Sequence, residues 1–222
     1  STLGVEKAYN VIGGVRIQKR KLAIDASIYY LYIKDYIHLI PDESPVLTIS
    51  GAFPSFAYSH VDASFKGVDL SIDWDITRGI NLRSRNSLVF AWNHTGNRYL
   101  ELVPSPRFDQ LLSYRFKDTK SWKELTLGLS ALIVAEQWRY DEGRDYIPPP
   151  PAYVLPGFEA SATFSHAGQE IRMGLSVSNL FNTSYREYMN RFRYYADETG
   201  RNITLRLTVP LSFKTATHDH EH

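Results

Sequence analysis

A two-residue repeat organises the chain. Near its end, Ile203, Leu205, Leu207, Val209, Leu211 and Phe213 alternate with Asn202, Thr204, Arg206, Thr208 and Ser212. Successive side chains of a strand point to opposite faces, so this segment has one oily face and one wet face. Pro210 cannot donate to a ladder and weakens the strand's last residues. The same alternation sets Leu22, Ile24, Ala26, Ile28, Tyr30 and Tyr32 on one face. It sets Leu125, Leu127, Leu129, Ala131 and Ile133 on another, and Ile171, Met173, Leu175 and Val177 on a third. Between Val61 and Ile76 the phase reverses: Val61, Ala63 and Phe65 are odd, whereas Val68, Leu70, Ile72 and Trp74 are even. Gly67 stands at the reversal and predicts a bulge or bend there.

Nine strands are predicted, at roughly 6–17, 21–40, 55–77, 81–97, 101–117, 122–139, 152–165, 169–186 and 200–213. Many are far longer than the roughly 5–6 residues usual in globular proteins. Short connections at 18–20, 77–80, 118–121 and 166–168 alternate with longer ones at 41–54, 95–100, 140–151 and 187–199. Long strands with one oily face, joined alternately by short turns and long loops, predict an all-β, antiparallel transmembrane β-barrel. Girdle candidates are Tyr29, Tyr30, Tyr32, Tyr36, Trp74, Phe90, Trp92, Tyr114, Phe116, Trp122, Phe164 and Phe213. An odd strand count cannot close an antiparallel meander. The nine strands are therefore expected to be the C-terminal part of a larger barrel. The alternative is a soluble all-β binding module whose oily face is packed in a sandwich.

Composition narrows the classes. A helical membrane span needs about 18–20 consecutive apolar residues, and the longest comparable run, Leu125 to Ala135, is interrupted by Thr126, Gly128 and Ser130. With 25 Lys and Arg against 24 Asp and Glu, the chain has no net field to attract nucleic acid, and none is expected as a partner. The absence of cysteine excludes a disulfide scaffold and a thiolate site. There is no phosphate-cradling glycine loop, no HExxH and no nucleophile elbow, so neither an enzyme nor a cofactor is predicted. Asp141/Glu142 and Asp197/Glu198 are read as solvated loop charge.

Four segments carry a resemblance. Val177-Ser-Asn-Leu-Phe-Asn-Thr-Ser-Tyr185 resembles the penultimate-strand motif of TonB-dependent outer-membrane receptors, and Gly200-Arg-Asn-Ile203 with its alternating run to Phe213 resembles their closing strand. His60-Val-Asp-Ala63 followed by Gly67-Val-Asp-Leu70, and Val103-Pro-Ser-Pro-Arg-Phe108, resemble two earlier strand segments of the family. The resemblance implies a barrel of about 22 strands with an N-terminal plug. It implies a Gram-negative outer-membrane location, lipid contact, TonB contact through an N-terminal region, and uptake of a metal nutrient such as a ferric siderophore or haem. The N-terminal plug and further barrel strands lie outside this sequence. The last strand of such receptors runs from outside to periplasm, which puts the long loops outside the cell. Residues 1–213 are then barrel and 214–222 a His- and acid-rich tail.

Two loops have a binding-like composition. Trp138, Arg139, Tyr140, Arg144 and Tyr146 cluster on one, and Arg191, Arg193, Tyr194 and Tyr195 on the other. Guanidinium groups offer paired donors to carboxylate or catecholate oxygens, and aromatic rings offer stacking area. These nine residues are the candidate ligand-binding set for a small metal complex. In the tail, His218, His220 and His222 share one face if extended and are candidate metal ligands.

Overall fold

The computed structural model describes residues 5–166 and 169–210. Nine long strands form one sheet: β1 Lys7–Lys19, β2 Leu22–Pro41, β3 Phe56–Asp75, β4 Ile80–Asn93, β5 Arg107–Arg115, β6 Trp122–Val134, β7 Tyr153–His166, β8 Gln169–Ser178 and β9 Asn202–Thr208. Each pairs antiparallel with its sequence neighbour, so the sheet is a plain meander with β1 and β9 at its edges. A two-residue strand, Arg98–Tyr99, extends the pairing at the end of β4. A small hairpin, Val46–Thr48 with Gly51–Phe53, stands apart in the loop after β2. Among the described residues the only helical element is a 3-10 turn, Arg191–Tyr194, and no helix is long and apolar enough to cross a membrane.

The register aligns the oily faces. Val15, Ala26, Leu70 and Ile24, Ile72 follow one another across β1 to β3. Leu82, Leu112, Leu129 and Phe158 do so across β4 to β7, and Val177 faces Ile203 across β8 and β9. This face is uncovered: Leu205 is 78% exposed and Leu129 62%. A soluble sandwich would bury it. The opposite face carries Asp25, Asp69, Arg85, Asp109, Glu159 and Arg206. A hollow of about 470 Å³ on that side is bordered by both Arg83 of β4 and Arg206 of β9. Those strands are five places apart in the sheet, so the wall curves with its polar face inside. Ion pairs line it, including Arg83–Asp73 at 3.6 Å and Lys123–Glu170 at 2.8 Å.

Polar side chains also occur on the outer face, where they satisfy one another. Ser84 and Asn86 of β4 and Gln110 of β5 take outward positions. Asn86 Nδ2 donates to Ser84 Oγ (2.9 Å) and to the Leu70 carbonyl (3.3 Å), and Gln110 Nε2 donates to Asn86 Oδ1 (3.0 Å).

The phase reversal in β3 has a different cause from the one expected. Pairing runs without interruption through Gly67, which faces Tyr29. The odd residues Val61 and Ala63 are buried with Ala91, Leu100 and Val103 in a core inside the curve, with Tyr36 and Phe65 packed against it. Hydrophobicity thus changes side because the upper wall holds an interior core and the lower wall an oily exterior. The bulge lies in β2, between Ile33 and Tyr36, where Asp35 takes a positive φ of 56°. Asp62 fills it: its carboxylate accepts from the Asp35 amide (3.1 Å) and from the Tyr32 hydroxyl (3.2 Å). A second irregularity, between Ser161 and Thr163 of β7, is matched by Glu124 at φ 55°. It brings Trp122 into outward phase with Leu127.

Several strands are shorter than the periodicity predicts, the last among them at Asn202–Thr208. Pro104 and Pro106 lack amide donors and delay β5 to Arg107. β6 ends at Val134, where Gln137 turns in to bond the Val103 and Pro104 carbonyls (2.9 and 3.2 Å). β8 ends at Ser178 because Asn179 and Asn182 are left-handed, with φ 50° and 56°. Of the girdle candidates, Trp74, Tyr114, Trp122 and Phe164 gather toward the short-turn end, with Tyr114–Phe116 rings 4.7 Å apart and Trp122–Phe164 rings 5.1 Å apart. Tyr29 and Tyr36 are instead inside the curve. Phe213 lies outside the described residues, as do His218, His220 and His222.

Gly67 is fixed by contact. A Cβ there would stand 2.0 Å from the Tyr29 ring. Gly67→Ala should destabilise the barrel by about 1–3 kcal/mol through overpacking. In a double-mutant cycle read by denaturant midpoint, Tyr29→Ala should remove most of that penalty. Additive effects would show that the ring does not depend on the glycine.

Candidate functional site: a loop cleft at one end of the wall

All four short turns lie at one end of the sheet, and the loops 42–55, 94–106, 135–152 and 179–201 lie at the other. The last of these is shaped by its asparagines. Asn179 receives the Thr183 amide and donates to the Thr183 carbonyl, both at 2.8 Å, replacing the lost ladder bonds. Asn182 Oδ1 accepts from the Arg201 amide (2.9 Å), tying the loop's start to the entry of β9. Gly200 is needed because a Cβ would meet that oxygen at 2.3 Å. Asn190 caps the 3-10 turn, accepting from the Phe192 amide at 2.9 Å.

That turn delivers Arg193 into the interior. It is 1% exposed, and its guanidinium pairs with Asp145 of the 135–152 loop and donates to the Pro148 carbonyl (3.2 Å). Tyr188 and Tyr194 rings flank it at 4.9 and 4.7 Å. Asp145 also accepts from the Tyr194 hydroxyl (2.6 Å) and from the Tyr146 amide (2.7 Å). Tyr146 continues the chain of contacts. Its hydroxyl donates to the Ser55 carbonyl (3.0 Å) and accepts from the Ser55 amide (3.1 Å). Asp145 and Tyr146 together therefore join three loops. Burial, reinforced by the bond to Asp145, raises the Tyr194 phenol well above its ordinary value, so it remains a donor.

The joined loops leave an open cleft of about 480 Å³ bordered by Phe56, Met189, Arg191, Phe192, Tyr194 and Tyr195. Arg191 lies over the Phe56 ring at 5.5 Å, and Phe53 of the small hairpin approaches Tyr195 at 6.4 Å. Phe192 is 74% exposed at the rim. This surface offers stacking faces and one guanidinium.

The nine expected residues thus part company. Arg191, Tyr194 and Tyr195 line the cleft, and Tyr146 supports it. Arg193 is enclosed and acts as a fastener. Arg139 is buried elsewhere, between Phe90 (4.0 Å) and Trp138 (4.6 Å), with its Nε donating to Gln137. Arg144 is exposed and Tyr140 half-buried, and neither borders the cleft. Phe56, Met189 and Asp145 were not anticipated. An acid between Arg144 and Tyr146 was the available signal for Asp145. The acidic pair Asp197/Glu198 is not free either: Asp197 accepts from Ser184 and from Arg186 Nε (2.6 Å), and Glu198 accepts from Asn190. Beneath the loops, His38 and Glu101 face each other at 3.7 Å, and Arg98 lies 3.2 Å from Glu101.

A curved antiparallel wall with an uncovered oily exterior, a polar interior and loops gathered at one end defines a segment of a membrane β-barrel. The chain belongs to the family described as TonB dependent receptor-like, beta-barrel, which matches over residues 2–180. The copper transporter OprC has the same fold, with a TM-score of 0.75 and 19% identity over 93% of this chain and 31% of that one. So do the FrpB iron transporter from Neisseria meningitidis (TM-score 0.64, 18% identity, 92% and 31% covered) and BauA, the ferric preacinetobactin receptor from Acinetobacter baumannii (0.68, 14%, 92% and 29%). The chain spans about a third of the length of these structures. No curated protein matches the sequence significantly.

Arg193→Ala should leave the Asp145 carboxylate without its buried partner, a loss of about 3–5 kcal/mol for such pairs. Limited proteolysis should then cut within 135–152 and 179–201 while the strands keep their unfolding midpoint. Uncut loops would mean that the pair holds nothing.

Asp197 supplies a pH dependence. Its bonds from Ser184 and Arg186 hold its pKa below the ordinary 3.8. A carboxylate depressed in the folded state stabilises above its unfolded pKa and loses that contribution as pH falls through the folded value. The protection of amides in 179–201, relative to their intrinsic exchange rates, should therefore fall as pH drops below the ordinary carboxylate value of about 3.9. Asp197→Asn should make exchange faster at neutral pH and flatten the acid response.

Proposed function

We propose that this chain forms wall and extracellular loops of a TonB-dependent receptor that takes up a metal complex across a Gram-negative outer membrane. The observation that carries the proposal is the aromatic cleft, which three loops build at the long-loop end of a wall of this family. In it, Phe56, Phe192 and Tyr195 stack against the cargo and Arg191 binds an oxygen anion on it. Asp145, Arg193 and Tyr146 hold the loops in place. The wall meets lipid with its oily face and lines the passage with its paired charges. Strands and a plug supplied outside this sequence complete the barrel, and TonB engages that other region. The metal-complex cargo is supported by the copper transporter, iron transporter and ferric preacinetobactin receptor that share the fold.

The test is metal accumulation by cells carrying the complete receptor. Phe56→Ala with Tyr195→Ala should reduce uptake of a chelated metal at least tenfold, while surface expression and heat-modifiable migration stay unchanged. Equal uptake by the double variant and the parent would remove the cleft from the transport route.

A further inference from the structure

Loop composition alone points to an anionic cargo, since six Arg and Tyr residues crowd positions 186–195. The structure removes most of that charge. Arg193 is neutralised by Asp145, and Arg186 by Asp197 at 2.6 Å. Arg139 is shut between Phe90 and Trp138, away from the cleft. Arg191 is the one cation among the cleft-lining residues described. On the same loop, Asn190 is hydrogen-bonded to the Glu198 carboxylate, so negative charge adjoins the floor.

What remains is apolar and aromatic. Phe56, Phe192, Tyr194, Tyr195 and Met189 supply the walls, and Phe192 and Tyr195 present much of their ring area to solvent. The hairpin beside them adds to this. Phe53 contacts Tyr195, while Leu47 is 79% exposed and Ile49 fully exposed at the hairpin tip. Exposed apolar groups clustered beside a cleft mark a surface that another apolar group covers. A polyanion placed here would give up hydration at several charges and recover one guanidinium contact. A flat ring system with a single anionic group loses little hydration and stacks on several faces.

Building on the receptor role proposed above, we infer that the cargo face seated against this wall is aromatic and carries no more than one negative charge. Its chemical class is a phenolate-type metal chelate of low net charge. A tris-catecholate and an aliphatic hydroxamate chelate both fall outside it. Arg191 pairs with the single anionic group, and Phe192 and Tyr195 clasp the ring.

Three gallium(III) probes separate the classes on the complete receptor in detergent: the monoanionic bis(salicylate), the trianionic tris(catecholate) and the neutral tris(acetohydroxamate). Gallium keeps the charge and geometry of ferric complexes without redox change. The salicylate complex should bind at least tenfold more tightly than either of the others. Phe192→Ala and Tyr195→Ala should each weaken it by up to about tenfold, the scale of one aromatic contact. Arg191→Gln should weaken it severalfold, and Arg191→Glu more. All three residues are exposed, so the variants should keep the parent's migration and surface expression. Tighter binding of the tris(catecholate), or binding of the hydroxamate equal to that of the salicylate, would overturn the inference while leaving a receptor for metal complexes. If no probe binds and the Phe56/Tyr195 double variant also leaves cellular metal uptake unchanged, both the inference and the receptor role fall. If no probe binds but that variant does block uptake, the low-charge aromatic class is wrong and the receptor role stands.

Discussion

Every backbone amide and carbonyl in the wall must find a partner without water. Lipid accepts no hydrogen bonds, and an unmet polar group there costs several kcal/mol. The meander meets this demand by pairing each long strand with its sequence neighbours from β1 to β9, with a register shift at two places only among the described residues. Strand pairing in turn forces side chains to alternate, and alternation sorts the sequence into an oily exterior and a polar interior. The exceptions obey the same demand. Asn86 and Gln110 face outward but spend their donors on each other, on Ser84 and on a carbonyl. Asn179 supplies its carboxamide at the place where β8 leaves the ladder.

Strand number, order and face were legible because a period of two leaves a direct trace in the sequence. Ile203, Leu205 and Leu207 are outward, as their spacing requires. Pattern alone could not say why an apolar residue changes side. The odd residues Val61 and Ala63 pack on Leu100 and Val103, about forty positions later in the chain, so the reason is tertiary. The bulge in β2 was hidden for the same cause, since it is held by Asp62 of the next strand. Motif recognition found the asparagines and Gly200 without their roles; the structure shows the Asn182 oxygen occupying the space a side chain at Gly200 would need.

The site was legible in composition and illegible in assignment. Arg and Tyr do concentrate on the loops that meet. Whether a guanidinium is available depends on its neighbours, however, and those come from other loops. Arg191 and Arg193 are two residues apart on one 3-10 turn, yet one lies over Phe56 at the rim and the other is sealed against Asp145. A tight turn sends alternate side chains to different sides, so adjacency in sequence separates them in space. Phe56 carried no signal at all, because it is simply the first residue of a long strand until Tyr146 and Tyr194 close on it at 6.3 and 5.9 Å.

Charge is distributed by one rule in wall and loops alike. Arg83 with Asp73, Lys123 with Glu170, and Arg16 with Asp25 compensate one another along the interior, so the polar lining is wet without a strong field of either sign. In the loops, Arg186 and Arg193 are likewise paired. Exposed ion pairs of the wall add little stability, roughly 0–1 kcal/mol each, and their consequence is electrostatic balance. The enclosed Arg193–Asp145 pair differs because its members have lost their water, so either one alone would be costly. It therefore specifies loop geometry more than it adds stability. The same pairing that fixes the cleft's shape also withdraws charge from it, leaving stacking surface and Arg191 to meet whatever enters. The joining of the 135–152 and 179–201 loops and the neutralisation of Arg193 thus have a common origin in Asp145.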